Sequence, residues 1–413
     1  MVEKKYVSPI LNKIRNDNFE NDLKLANNLA VGYINKVDDM RVYPDKEAIR
    51  NLSMFDEDLS DEPENTREIL NKLDKYGSPA TVAQTGGRYF GFVCGGILPA
   101  ALCSKWLADA WDQNAGLFGL SPIASKIEDV CEKWLKDLLG LPDNTIAGFV
   151  SGSSTASLCG LIAARNYLLS NMGYNVTKEG LINAPEIRVI VGEGAHSTIY
   201  KTLSIIGLGN ANIIKIPSDD QGRIITDKIP ELDNRTLLIL QAGNVNSGAF
   251  DDFSTICDKA NKAGSWVHID GAFGLWAAAS EKMNHLTKGF ELADSWSVDA
   301  HKTLNAPYDN GIILCRHKDA LVNAMHMTGS YIIYNDNRDG MLYTAEMSRR
   351  ARAIDLWAVL KGLGKNGVSE LVCELHSKAK YFSKLLEDGG MYILNDVVLK
   401  CLYIMIMIIK QKL

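Results

Sequence analysis

Between Val150 and Arg316 two kinds of apolar pattern alternate along the chain. Short runs rich in β-branched residues read as strands: Arg188 to Val191, Ile213 to Ile216, Thr236 to Leu240, Trp266 to Ile269, Ser295 to Val298 and Gly311 to Cys315. Stretches with helical spacing, such as Ser157 to Ser170 and Phe253 to Ala263, lie between them. This order predicts an α/β domain on a mainly parallel sheet, with ligands outside the carboxyl ends of the strands. Ahead of it, Gly148 to Val150 supplies a further strand and Ile123 to Leu139 a helix that stops at Gly140-Leu141-Pro142.

The flanks read differently. The first seventy-odd residues are polar, charged and rich in helix formers, with turn signals from Asp56 to Pro63, and predict helices that pack on something else. From Phe90 the chain turns to glycine and small apolar residues. After Tyr343 the stretch AEMSRRARAIDLWAVLKGLG is helix-like and leads into a smaller region. The last residues, VVLKCLYIMIMIIKQKL, lack the alternation of a half-buried strand. The expected organisation is a helical segment over 1–75, a large domain over 76–325 and a small C-terminal domain over 326–413. That last domain reads as truncated, with strand edges and an apolar tail that threaten solubility.

Composition narrows the function classes. With 413 residues, 46% of them hydrophobic and 23% charged, the chain is globular rather than disordered. Its 44 Lys plus Arg against 50 Asp plus Glu give a net charge of -6, so there is no chain-wide attraction for nucleic acid or an anionic membrane. Eight cysteines are scattered singly with no C-x-x-C pair. They suggest neither a metal site nor a disulfide framework and read as buried thiols of a reducing compartment. The start has no apolar signal core, and the longest apolar run, Cys401 to Ile409, is far short of the ~20 residues a spanning helix needs. A cytoplasmic protein with no membrane or nucleic-acid partner is expected.

Three segments carry candidate chemistry. In FVSGSSTASLCGLIAAR a strand turns into a helix through Ser153, Ser154 and Thr155. A helix start gathers unpaired N–H groups and favours an anion, although the same residues serve equally as a cap. In WVHIDGAFGLWA, Asp270 ends a buried-looking strand, either to cap the next helix or to meet a cation. In DSWSVDAHKTLNAPYDNG, Lys302 follows His301 into a turn. It is either a surface charge or, held among apolar residues, an amine able to attack a carbonyl. An anion cradle, a strand-end acid and a strand-end lysine together are the parts of a pyridoxal phosphate site.

With RYFGFVCGG, GEGAHSTIYK and YTAEMSRRARAIDLW added, six motifs stand in consistent order from about Phe90 to Leu363. In these the chain resembles the pyridoxal-phosphate-dependent group II amino-acid decarboxylases, relatives of the aromatic and glutamate decarboxylases. The resemblance implies an aspartate-aminotransferase-like fold (type I) with a mainly parallel seven-stranded sheet, pyridoxal 5'-phosphate as cofactor, and a homodimer with its active site near the interface. By the same resemblance Lys302 would hold the cofactor through a Schiff base and Asp270 would pair with its pyridine nitrogen. Ala272 would lie against one ring face and His196 would stack on the other. Ser153 and Ser154, at the helix start with Thr155, would hold the phosphate, with His301 near it. Asp299 stands where the family often has Asn, an acid beside a dianion. Asn246, in GNVNSGAFDDF, would make a polar contact, and Tyr331, in TGSYIIYND, would protonate the α-carbon; without the resemblance Tyr331 reads as a strand aromatic.

The implied reaction is decarboxylation of a small-molecule L-amino acid to the amine and carbon dioxide, through the lysine. Other exits from the same cofactor, amino transfer or carbon–carbon cleavage, stay open, as does an inactive truncated homologue serving as a binding or scaffold subunit. Gly86-Gly87 replaces a His-Pro pair common in relatives, which leaves the substrate open. Phe90, Phe92 and Trp111 read as an aromatic pocket or as core, and the lean is to aromatic over acidic substrates. Arg349, Arg350 and Arg352 read as an exposed basic helix face, of which at most two could turn toward a carboxylate.

Overall fold

The computed structural model describes residues 8, 10–11, 14, 18–327, 336–401 and 404–405. The chain divides into two compact units, Met1–Cys94 and Gly95–Leu413. The first carries helices α1 (Phe19–Ile34), α2 (Lys46–Asn51) and α3 (Thr66–Lys72). Each starts where an Asn or Asp side chain accepts an otherwise unpaired N–H of the first turn. Asn18 takes that of Asn21 at 3.1 Å, Asp45 that of Ala48 at 2.8 Å and Asn65 that of Arg67 at 2.9 Å. No residue of α1 is buried, and its Phe19 is 81% exposed.

The second unit is built on a seven-stranded sheet: β1 (Ile146–Val150), β2 (Arg188–Gly192), β3 (Ile214–Ile216), β4 (Thr236–Gln241), β5 (Trp266–Asp270), β6 (Ser295–Asp299) and β7 (Gly311–Cys315). Their order is β1-β7-β6-β5-β4-β2-β3. Strands β2 to β6 run parallel, and β7 lies antiparallel to both of its neighbours. The α/β expectation and the strand runs therefore hold. Every residue of β1, β4, β5, β6 and β7 is buried, as a sheet covered on both faces requires.

Around the sheet lie α4 (Pro99–Trp111), α5 (Pro122–Leu139), α6 (Ser153–Asn171), the one-turn α7 (Val176–Glu179), α8 (Ser197–Ile205), α9 (Phe253–Ala263), α10 (Lys318–Met325) and α11 (Ala353–Asp388). Helix α5 opens on Ser121, whose Oγ accepts the Ala124 N–H at 3.3 Å, and closes on Gly140 at φ +66°. Helix α6 packs across β5, β6 and β7, burying Ala156, Leu161, Ala164 and Leu168 against Val150, Val191, Leu237 and Ile239. Two helical stretches of α11 meet at Gly364, φ +62°. Beyond it β8 (Tyr392–Ile393) pairs antiparallel with β9 (Ile404–Met405). Among the described residues no helix is long and apolar enough to cross a membrane.

Three expectations are corrected. The helix expected from Ala345 begins only at Ala353, and the three arginines do not form an exposed face. Arg349 and Arg352 are buried, and each of the three is paired with an acid. Arg349 Nη1 lies 2.6 Å from Glu128 Oε1, Arg350 Nη1 2.8 Å from Asp355 Oδ2, and Arg352 Nε 3.0 Å from Asp309 Oδ1. An irregular backbone can send neighbouring side chains to three separate partners; a helix at spacings of one and three cannot. The thiols are not uniformly buried either: Cys103 is exposed and Cys94 and Cys373 are half-buried.

Where β7 starts, a Cβ built on Gly311 would come within 2.3 Å of Gly152 Cα. Gly311→Ala is therefore expected to lose ~1–3 kcal/mol by overpacking, read as a lower urea midpoint. Gly362→Ala in α11, where the new methyl meets only Ala100 at 3.6 Å, is expected to leave the midpoint unchanged or raise it.

Candidate active site

The parallel strands β5 and β6 end side by side, Asp270 opposite Ser297, so their closing carboxylates and the turn after β6 converge at the carboxyl edge of the sheet. Asp299, almost wholly buried, is the hub. Its Oδ1 accepts the Ser153 backbone N–H at 2.6 Å, and its Oδ2 lies 3.0 Å from Lys302 Nζ and 3.5 Å from His301 Nε2. Lys302 thus faces a carboxylate, being neither a surface charge nor an amine held among apolar residues alone, with 21% of its side chain exposed. His301 Nδ1 accepts the Asn310 N–H at 3.0 Å, so its proton sits on Nε2, toward Asp299. Burial holds His301 below the ordinary imidazole range, partly offset by Asp299.

Asp270 is 8% exposed. Burial pushes its carboxyl up, while the charge of Lys302, the Ala272 N–H at 3.2 Å and the nearby His196 work to keep it ionised, and Asp299 opposes them. Ala272 also accepts the Asp299 N–H at 2.9 Å, tying the ends of β5 and β6 together. His196 is the N-cap of α8 and half-buried; its Nδ1 accepts the Thr198 N–H at 3.3 Å, which leaves the ring proton on Nε2. Ser153, Ser154 and Thr155 form the first turn of α6, as expected, but Asp299 already uses the Ser153 N–H. The outward N–H groups of Ser154 and Thr155 come next in the helix start.

The double glycine of RYFGFVCGG has a local reason. A Cβ on Gly95 would meet the carbonyl oxygens of His301 and Lys302 at 2.3 Å, and the Gly96 N–H donates to Asn305 Oδ1 at 2.8 Å. Only a bare backbone passes this close to the lysine turn. Asn246 is exposed; the buried asparagine of its loop is Asn244, whose Oδ1 accepts the N–H groups of Asn246 and Ser247 at 3.0 and 3.3 Å. Tyr331 lies outside the described residues. Phe90 and Phe92 are 75% and 91% exposed, and Trp111 is 47% exposed, so none of the three is core.

Sequence reasoning missed Asn244 and a polar set behind Asp270: His268, Ser295, Ser297 and Ser157, all buried. The signal was present, because W-V-H-I-D and S-W-S-V-D place a polar or aromatic residue at every second position of two central strands. His268 is wholly enclosed, and burial lowers it to about 3 from the ordinary 6.5. The folded chain keeps it neutral where the unfolded chain gains a proton. Its contribution to stability is thus complete above about pH 6.5 and is lost as the pH falls toward 3. Between pH 7 and pH 5 the wild type is expected to lose on the order of 2 kcal/mol through this residue, measured by urea unfolding, and His268→Gln to flatten that part of the slope.

Comparison with known proteins bears on the family and the fold. A family described as the pyridoxal-dependent decarboxylase conserved domain matches residues 48–402. An aromatic-L-amino-acid decarboxylase of Bacillus atrophaeus is 29% identical over 340 residues, 78% of this chain and 67% of that protein. An aspartate 1-decarboxylase of Aliivibrio fischeri is 27% identical over 262 residues, 60% of this chain and 48% of that one. The matched stretch thus spans about half to two thirds of these relatives. Among solved structures, Catharanthus roseus tryptophan decarboxylase in complex with L-tryptophan aligns with a TM-score of 0.84 at 20% identity, covering 96% of this chain and 86% of that one. Oryza sativa TDC with PLP and tryptamine gives 0.83 at 21%, covering 94% and 82%. These two likenesses concern the fold; the family match over most of the chain goes further, and the chain belongs to the pyridoxal-dependent decarboxylase family.

Proposed function

We propose that this chain removes the carboxylate of an L-amino acid as carbon dioxide and releases the amine, with pyridoxal phosphate held between Lys302 and Asp270. The observation that carries the reading is the convergence of a partly exposed primary amine, a buried carboxylate and a helix start at one edge of the sheet. The residues suit that cofactor: an amine for its aldehyde, an acid for its ring nitrogen, and N–H groups for its phosphate. The phosphate end is also kept open by Gly152, where a Cβ would lie 3.3 Å from His301 Cε1. When bound, the cofactor supplies an electron sink for the pair left at the α-carbon as the carboxylate departs.

The chain's own residues do the rest. Lys302 Nζ would hold the aldehyde end of the cofactor, and Asp299, 3.0 Å away, would orient that amine and take up its proton. Asp270, shielded from water and supported by Lys302, Ala272 and His196, would hold a proton on the ring nitrogen. His196 and Ala272 would flank the ring. Ser153, Ser154, Thr155 and His301 gather around the phosphate, with Asn246 a further polar contact. Tyr331 delivers a proton to the α-carbon; delivery there rather than to the cofactor carbon separates decarboxylation from amino transfer. The Bacillus relative supports an aromatic substrate, and a homodimer belongs to the same reading.

The test is product analysis of the cofactor-loaded full chain across a panel of L-amino acids. Equal amounts of carbon dioxide and amine are expected, with aromatic substrates ahead of L-aspartate, and Lys302→Ala is expected to lower kcat by at least about 10³-fold. A keto acid in place of carbon dioxide would reassign the chain to amino transfer, and an aldehyde to carbon–carbon cleavage. Cofactor binding without turnover of any substrate would favour a binding subunit.

A further inference from the structure

We infer that Asp270 is the end of a one-way hydrogen-bond chain, running from Trp266 through Ser295, His268, Ser157 and Ser297, which orients its carboxylate and keeps it ionised. The inference rests on the reading of Asp270 as partner of the cofactor's ring nitrogen. It assigns five residues, none of which would touch the cofactor, a positioning role.

The chain follows from the register. Alternate residues of a strand share a face, and β5 and β6 pair with His268 opposite Ser295 and Asp270 opposite Ser297. One face of the two strands therefore carries Trp266, His268, Asp270, Ser295 and Ser297, and α6 crosses that face with Ser157. Gly160, one turn along α6, permits the close approach: a Cβ there would lie 3.1 Å from the His268 ring. The contacts are Trp266 Nε1 to Ser295 Oγ at 3.0 Å, Ser295 Oγ to His268 Nδ1 at 2.8 Å and His268 Nε2 to Ser157 Oγ at 3.3 Å. Ser157 Oγ then reaches Ser297 Oγ at 3.0 Å, and Ser297 Oγ reaches Asp270 Oδ1 at 3.5 Å.

Donor and acceptor counting fixes the direction. The indole N–H of Trp266 can only donate, and an ionised carboxylate can only accept. Each serine hydroxyl has one proton. That of Ser297 goes to Asp270 and that of Ser157 goes to Ser297, so His268 must bring a proton on Nε2. Its Nδ1 is then left to accept from Ser295, which itself accepts from Trp266.

Protonation of Asp270 on the oxygen facing Ser297 would ask every link between Asp270 and Ser295 to reverse. The reversal would end with His268 and Trp266 both donating to Ser295, whose own proton would be left without an acceptor in the chain. A donor that cannot turn around, placed at the far end, thus biases the acid at the near end toward its charged form. The other groups acting on Asp270 are Lys302, the Ala272 N–H, His196 and Asp299. None of them belongs to the chain.

The test begins with the full-length wild type free of cofactor, labelled with ¹⁵N-histidine and with carboxyl-¹³C aspartate, the two signals being assigned with His268→Gln and Asp270→Asn. His268 is expected as the neutral Nε2–H tautomer, unchanged from pH 8 to about pH 5.5, whereas an unperturbed histidine is half-titrated near 6.5. A proton on Nδ1, or a midpoint near 6.5, would overturn the inference. The proton affinity of Asp270 is expected to rise about tenfold in Ser297→Ala and about threefold in Ser157→Ala, with Ser297→Thr restoring the wild-type value. No change in either alanine variant overturns the inference, because mere packing would leave that titration alone. Loading with pyridoxal phosphate separates the two readings. Weaker cofactor binding in Asp270→Asn with an unmoved Asp270 titration in Ser157→Ala sinks the chain and spares the ring-nitrogen role. The expected His268 tautomer and Asp270 shifts, with full cofactor affinity in Asp270→Asn, keep the chain and remove that role.

Discussion

Two carboxylates buried side by side at the ends of adjacent strands constrain everything else in this site. Removing Asp270 and Asp299 from water costs several kcal/mol each unless cations and donors meet them. The fold supplies these from three directions. The start of α6 gives the Ser153 N–H to Asp299, the turn after β6 returns Lys302 to the same acid at 3.0 Å, and Ala272 gives its N–H to Asp270. An amine pinned between two acids is a poor surface charge and a well-placed reagent. The close passage of Gly95 over the His301 and Lys302 carbonyls, and of Gly311 against Gly152, results from the same crowding.

The same rule operates outside the site. Arg338 sets its Nε 3.0 Å from Glu128 and its Nη1 2.7 Å from Glu132, and Arg349 meets Glu128 from the other side. Arg350 and Arg352 share Asp309. These pairs tie the stretch before α11 to α5 and to the turn after Lys302. Side chains that resemble a substrate-binding basic face in one dimension are thereby committed to holding the backbone.

Much of this was legible in the sequence because local rules and the global fold agree. Strand runs from Arg188 to Cys315 needed only their β-branched content, α9 was bounded by Asp252 and Gly264, and α5 by Ser121 and Gly140. Asp270 and Lys302 stood out because a charge at the end of an apolar strand demands a reason. Three features were not legible. Spacing alone could not say that Ala345–Arg352 is irregular, since Arg and Ala favour helix and the deciding acids lie far away in sequence. The polarity of the surroundings of Lys302 depends on Asp299 turning inward. The ladder of His268, Ser295 and Ser297 was written in period-two spacing, but its meaning required the pairing of β5 with β6 and the crossing of α6.

The central claim is that one aromatic ring is held with Lys302 at its aldehyde and Asp270 at its nitrogen. The most direct measurement uses pyridoxal phosphate labelled with ¹⁵N in the ring, bound to the full chain at pH 8. A protonated ring nitrogen is expected in the wild type and an unprotonated one in Asp270→Ala. A ring nitrogen that is unprotonated in the wild type, or indifferent to the loss of Asp270, would contradict the account.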